Sequence, residues 1–178
     1  RATPLEIVRH NQSTILSQLY EVEPMFNQGT VAGLGWEMAN FGFLLGGLFL
    51  LFRRLITWHG PVAMLATMAV LSVIFYDGGS SLSEGSPLLH LFSGATMLGA
   101  FFIVTDPVSG CTSNKGRLIF GAGVGLLVFV IRAWGAYPDA VAFAVLLMNF
   151  AAPFIDNYTL PRTYGHKAAR KATDLEEQ

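Results

Sequence analysis

Two threonines and three acids offer chemistry in a chain that is otherwise mostly apolar. Thr3 opens Thr3-Pro4-Leu5-Glu6, the pattern of a helix start with threonine as N-cap, proline at the first helical position and glutamate at the third. A hydroxyl there either caps the helix or esterifies a phosphate, whose charge suits the free N–H groups and positive dipole end of a helix. Thr96 closes Ser93-Gly94-Ala95-Thr96, inside a long apolar run that ends on Thr105-Asp106-Pro107. Its plain role is a small-residue packing face, with the hydroxyl returned to the Phe92 carbonyl. Glu37, Asp106 and Asp156 border apolar runs or enter them. A charge at bilayer centre costs about 2.5–3.5 kcal/mol on insertion scales, so acids near membrane depth are ion-path candidates. Two have ordinary uses as well: Asp106-Pro107 is a natural helix terminator, and Asp156 can be solvated at a membrane boundary.

The remaining reactive residue types exclude several classes. One cysteine, Cys111, rules out an internal disulfide and an all-cysteine iron–sulfur site, and as a loop thiol on a reducing side it is inert. The four histidines are scattered without metal-ligand spacing. His59 and His90 fall at opposite ends of their spans, which disfavours a bis-histidine haem. No metal is expected. A net charge of −1 gives no basic face for nucleic acid.

The elements that must position these residues are transmembrane helices. Of the 178 residues, 52% are hydrophobic and 13% charged, with a mean hydropathy of +0.48, too apolar for an ordinary soluble domain. Runs of spanning length fall at residues 39–56, 61–76, 88–105, 118–134 and 139–155, joined by short turn-like links. The expected fold is therefore all-α: a polytopic membrane protein of five transmembrane helices preceded by an amphipathic segment. Arg53, Arg54, Lys115, Arg117, Arg162, Lys167, Arg170 and Lys171 then share one side, against Arg1, Arg9 and Arg132 on the other. The positive-inside rule makes the tail cytoplasmic and the opening segment periplasmic or lumenal. Three regions follow: 1–38 outside, 39–156 in the membrane, 157–178 as a cytoplasmic tail. Gly42/Gly46 and Gly121/Gly125 read as GxxxG packing pairs rather than a dinucleotide loop. Leu5, Val8, Ile15, Leu16 and Leu19 predict an amphipathic helix of about sixteen residues before the first span.

Several strings carry a family resemblance. Gly99-Ala100-Phe101-Phe102-Ile103-Val104-Thr105-Asp106-Pro107-Val108-Ser109, Ala136-Tyr137-Pro138-Asp139 and Ala152-Pro153-Phe154-Ile155-Asp156-Asn157-Tyr158 resemble the NqrB/RnfD family, membrane subunits of ion-translocating oxidoreductases. The tail Pro161-Arg162-Thr163-Tyr164-Gly165-His166-Lys167 is especially similar to the RnfD branch, found in bacterial Rnf complexes. The resemblance covers essentially the whole chain. It implies the C-terminal half of a ten-span, two-repeat bundle in the bacterial inner membrane, with residues 1–38 periplasmic.

Such subunits carry FMN esterified through its phosphate to a threonine, attached by a periplasmic flavin transferase. Ser93-Gly94-Ala95-Thr96 matches the attachment motif by letter. Topology favours Thr3, because Thr96 lies halfway through a span where a phosphodiester would be buried and out of the transferase's reach. Arg1 stands where the family has glycine, and the acid that begins the motif would lie upstream of Arg1. The resemblance further implies electron relay to and from the other members of an Rnf complex: the flavoprotein RnfG, membrane subunits A and E, and iron–sulfur subunits B and C. Glu37, Asp106 and Asp156 are then candidates for sodium or proton handling, or, for Glu37, for the wall of the flavin pocket. The rivals are a passive urea-channel-like solute transporter without redox function, and a structural scaffold that docks redox partners in the lipid membrane.

Overall fold

A computed structural model describes residues 3–9, 21, 34–76, 86–135 and 140–159. Among these every regular element is a helix. In chain order they are α1 (Pro4–Arg9), α2 (Leu34–Phe52), α3 (His59–Ile74), α4 (Pro87–Phe92), α5 (Thr96–Leu98, continued as a π-helical turn over Gly99–Ile103), α6 (Asn114–Trp134) and α7 (Val141–Thr159). The expected amphipathic helix is described only over α1. Its continuation towards Leu19, the glycine-rich stretch before Gly35, the links 77–85 and 136–139, and the tail beyond Thr159 lie outside the described residues.

Local sequence accounts for the helix ends. Ser86 caps α4 by accepting the Leu89 amide at 3.1 Å, with Pro87 at the first helical position. Ser113 caps α6 by accepting the Gly116 amide at 2.9 Å. At the end of α2, Leu55 N–H donates to the Leu50 carbonyl and Arg54 N–H to the Leu51 carbonyl. That is a Schellman ending, and it puts Arg54 at φ 56°, the left-handed position usually given to glycine. Pro153 sits within α7, where it removes one helical donor.

Among the described residues, three helices are long and apolar enough to cross a membrane: Gly35–Phe52 within α2, all of α6, and all of α7. The expectation of five continuous spans is thus met by three. At 16 residues α3 extends about 24 Å, short of a hydrocarbon core of about 30 Å. The run at 88–105 is not one helix: Ser93 is extended (φ −118°, ψ 162°), and Gly94 takes φ 59° before the chain becomes helical again.

The core runs along α3, α5, α6 and α7, with Met64, Met68, Ala100, Val124, Val128 and Ala144 fully enclosed. Large apolar side chains point outward on the bundle's long helices, among them Phe49, Phe150 and Phe154. An apolar exterior around an apolar interior is what a bilayer solvent permits.

Close helix approach depends on glycine. A β-carbon at Gly121 would collide with the Gly60 carbonyl, and one at Gly125 would lie 2.5 Å from the Met64 carbonyl oxygen. The pair Gly121/Gly125 is therefore the α3–α6 contact, as its spacing predicts. Gly42/Gly46 is not an equivalent pair. Among the described residues nothing comes within 4 Å of a β-carbon at Gly42, one at Gly46 meets the tip of Phe102, and the tight position is Gly47, which has the Phe101 ring against it.

Gly125→Leu is expected to destabilise the protein by about 1–3 kcal/mol or more through overpacking, lowering its thermal unfolding midpoint in detergent, while Gly42→Ala leaves the midpoint unchanged.

Candidate functional site

Chemistry-bearing residues gather in three places: the start of α1, the break between α4 and α5, and the loop cluster around α6's first turn.

At α1, Thr3 behaves as its sequence context predicts. Its hydroxyl oxygen accepts the Glu6 amide at 3.3 Å, and its carbonyl accepts Ile7 N–H at 3.2 Å. The side chain is half-buried, whereas Pro4, Leu5, Ile7 and Val8 are enclosed. A phosphoester at this oxygen keeps the capping acceptor, and the residue's partial exposure is compatible with the cofactor implied by resemblance.

Thr96 is differently placed. It is fully buried, and its hydroxyl donates to the His90 carbonyl at 2.8 Å, with the Ser93 carbonyl also within reach at 3.1 Å. The partner expected from sequence, the Phe92 carbonyl, is replaced because the chain turns away from helix at Ser93. The Ser-Gly-Ala-Thr run is consequently a helix break, and it is packed as well: Ser93 and Thr96 are buried and Ala95 lies against the core.

The break is wired from other elements as well as from within. Ser93 donates its amide (2.9 Å) and its hydroxyl back to the Leu89 carbonyl. Asn40, inside α2 and 2% exposed, donates its side-chain amide to the carbonyls of Gly94 (3.1 Å) and Trp36 (3.0 Å). Asn40 also accepts Met97 N–H at 3.4 Å. Arg132, on the last turn of α6 and 5% exposed, donates Nη1 to the His90 carbonyl at 2.8 Å. The His90 ring packs beside Phe129, with centroids 5.3 Å apart. Sequence reasoning misses Asn40 and reads Arg132 only as a span-end charge. The available signal is a polar side chain within an apolar run.

His59 lies at the opposite end of α6 from His90. Gly60 contacts Gly121 and His90 contacts Arg132, which are separated by eleven residues or about 16 Å along the axis. The two imidazoles do not meet, and among the described residues no group of three His, Cys, Asp or Glu side chains forms a metal site.

Asp106 and Asp156 both organise the 104–113 loop. Asp106 accepts the Ser109 hydroxyl at 2.6 Å, the Val108 amide at 3.1 Å and the Ser109 amide at 3.3 Å. The Ser109 hydroxyl, then the Val108 amide, hold its carboxyl below the ordinary carboxylate value. Asp156 reaches across from α7 and takes the Thr112 amide at 3.0–3.1 Å and its hydroxyl at 3.0 Å. Glu37 stands in the first turn of α2, favourable for an acid. The three acids do not converge: Glu37 is at the far end of α2 from the loop that Asp106 and Asp156 share.

Cys111 is buried beside this loop, its thiol 3.8 Å from the Ala152 carbonyl. Burial, then the nearby Asp156 charge, push its pKa up to about 11. A raised pKa keeps it a thiol at neutral pH, with a thiolate fraction of roughly one in ten thousand at pH 7.

Comparison with known proteins adds the family context. The model of the NQR2, RnfD, RnfE family matches residues 1–165. A protein of Cellvibrio japonicus (strain Ueda107), named as the D subunit of an ion-translocating oxidoreductase complex, is 61% identical over 174 residues, covering 97% of this chain and 49% of the relative. The protein of the same name from Pseudomonas aeruginosa (strain UCBPP-PA14) is 61% identical over 170 residues, covering 96% and 49%. That of Marinobacter nauticus is 56% identical over 171 residues, covering 96% and 47%. The chain spans about half the length of the curated relatives it matches.

Of the reactive groups in these three places, the thiol is the simplest to probe. Maleimide labelling of the folded protein at pH 7 is expected to leave Cys111 essentially unmodified, with full reaction only after denaturation.

Proposed function

The chain belongs to the NQR2, RnfD, RnfE family, and from that membership we propose that it forms part of the membrane subunit of an Rnf-type ion-translocating electron-transport complex. Its place is the bacterial inner membrane, crossed five times: by α2, α3, the broken α4–α5 segment, α6 and α7. Residues 1–38 face the periplasm and the tail after 156 the cytoplasm. The clustering of Arg53, Arg54, Lys115 and Arg117 at one end of the bundle supports this orientation.

In this reading Thr3 carries FMN through a phosphoester, installed by a periplasmic flavin transferase. Bound there, the flavin supplies one-electron carriage between the donor and acceptor subunits of the complex. The observation that carries the assignment is the contrast between the two threonines. The Thr96 hydroxyl is fully enclosed and committed to backbone carbonyls of the break, so a bulky anionic ester there would cost several kcal/mol and unmake the junction. Thr3 is partly exposed, and among the described residues its oxygen accepts the Glu6 amide, which an ester oxygen can also do. The protein's own contribution is to hold the attachment point on a helix whose apolar side is buried by Leu5, Ile7 and Val8.

Glu37, Asp106 and Asp156 remain the proposed groups for ion handling. Asp106 and Asp156 border the loop that closes one end of the bundle, where a moving cation would exchange water for carboxylate oxygens.

Two experiments on the full-length protein test these assignments. Thr3→Ala is expected to abolish the ultraviolet fluorescence of the denatured gel band, while Thr96→Ser keeps it. Fluorescence that survives Thr3→Ala and disappears from a folded Thr96→Ser protein would reverse the assignment. For the acids, Asp106→Asn and Asp156→Asn retain an acceptor oxygen but lose the charge. Each is expected to lower ion uptake into vesicles severalfold, and unchanged uptake in both removes them from the ion path.

A further inference from the structure

We propose that the end of the bundle carrying Arg53, Arg54, Lys115 and Arg117 binds the phosphate headgroup of an anionic phospholipid. A cavity of about 210 Å³ opens there, with Leu55, Ile56 and Val104 on its apolar wall and Thr57, Asp106 and Arg117 on its polar wall. Arg117 is half-buried and already fixed in place. Its Nε donates to the Cys111 carbonyl and its Nη1 to the Thr57 hydroxyl, both at 3.1 Å. The guanidinium therefore loses little further freedom on binding, and among the described residues its other N–H groups make no further hydrogen bond.

Charge at this end favours an anion. Arg53 and Arg54 are exposed directly before Leu55, and Lys115 is exposed two residues before Arg117. Among the described residues, the carboxylates of the same end are Asp106 and Asp156, and each accepts from donors of the 104–113 loop. Four cations against two partly satisfied carboxylates leave a positive local excess among the described residues.

The apolar surroundings select a lipid over a soluble anion. Phe52, Leu55 and Trp58, adjoining these cations in the chain, are 85%, 69% and 53% exposed. A headgroup seated on the arginines brings its acyl chains against these side chains, whereas a free phosphate gains the charge contacts and leaves the apolar surface bare.

Native mass spectrometry of the full-length protein, released from detergent with phosphatidylglycerol or phosphatidylcholine of matched acyl chains, reads this directly. The wild type is expected to retain phosphatidylglycerol in preference. The Arg53→Gln/Arg54→Asn double variant, changed at exposed positions, should lose that retention by about fivefold per arginine, with its lipid-free unfolding midpoint unchanged. Arg53→Lys/Arg54→Lys, which keeps the charge, should retain the lipid. Equal retention of the two lipids by the wild type, or undiminished phosphatidylglycerol retention by the neutral variant, would overturn the proposal. Displacement of the lipid by millimolar inorganic phosphate would overturn it too, marking a soluble-anion site. None of these outcomes depends on flavin attachment.

Discussion

The interruption at Ser93–Ala95 is the constraint around which the described bundle is organised. In a bilayer no water is present to satisfy backbone groups, so a helix can break at membrane depth only where other protein groups replace the lost bonds. Here the replacements converge from several elements: Ser93 folds back on Leu89, Thr96 and Arg132 take the His90 carbonyl, and Asn40 takes Gly94 while receiving Met97. Leaving one such buried group unmet costs about 1–3 kcal/mol, comparable to the effect of a core substitution. The junction thereby ties α2 and α6 to a segment too short to cross the membrane by itself.

That junction sets what packs on either side of it. Beyond the break the π-helical turn carries Phe101 against Gly47 of α2, and places Gly99 where a side chain would meet Val141 of α7. Val104 then reaches Gly60 at the start of α3, and α3 lies along the Gly121/Gly125 face of α6. The 104–113 loop follows, closed by Asp106 internally and by Asp156 from α7. A redirected helix therefore decides which residues stand at the basic end of the bundle.

Much of this architecture is legible in the sequence because it depends on composition over many residues. Apolar runs place α2, α3, α6 and α7, the Gly121/Gly125 spacing identifies the α3–α6 contact, and Thr3-Pro4-Leu5-Glu6 identifies a capped helix start. The break is not legible, since Ser93, Gly94, Ala95 and Thr96 are all tolerated within a membrane helix. What departs from helix is an extended Ser93 followed by a positive φ at Gly94, supported by an asparagine 54 positions away. Gly47 escapes sequence reasoning on similar grounds: spacing selects Gly42/Gly46, whereas contact depends on the direction in which Phe101 is presented. Asp106 and Asp156 stand out as charges, but their shared hold on one loop depends on α7 lying across α6.

The break also bears on the cofactor. A threonine whose hydroxyl holds two turns of interrupted helix together is poorly placed to become an ester, which is why Thr3 is the attachment point we propose. Peptide mass spectrometry of the mature full-length protein tests this most directly. Trypsin cleavage after Arg1 and Arg9 isolates residues 2–9, and cleavage after Arg54 and Lys115 isolates residues 55–115, which contain Thr96. The account predicts the FMN mass on the 2–9 peptide and an unmodified 55–115 peptide. An unmodified 2–9 peptide with the flavin on 55–115 would contradict it.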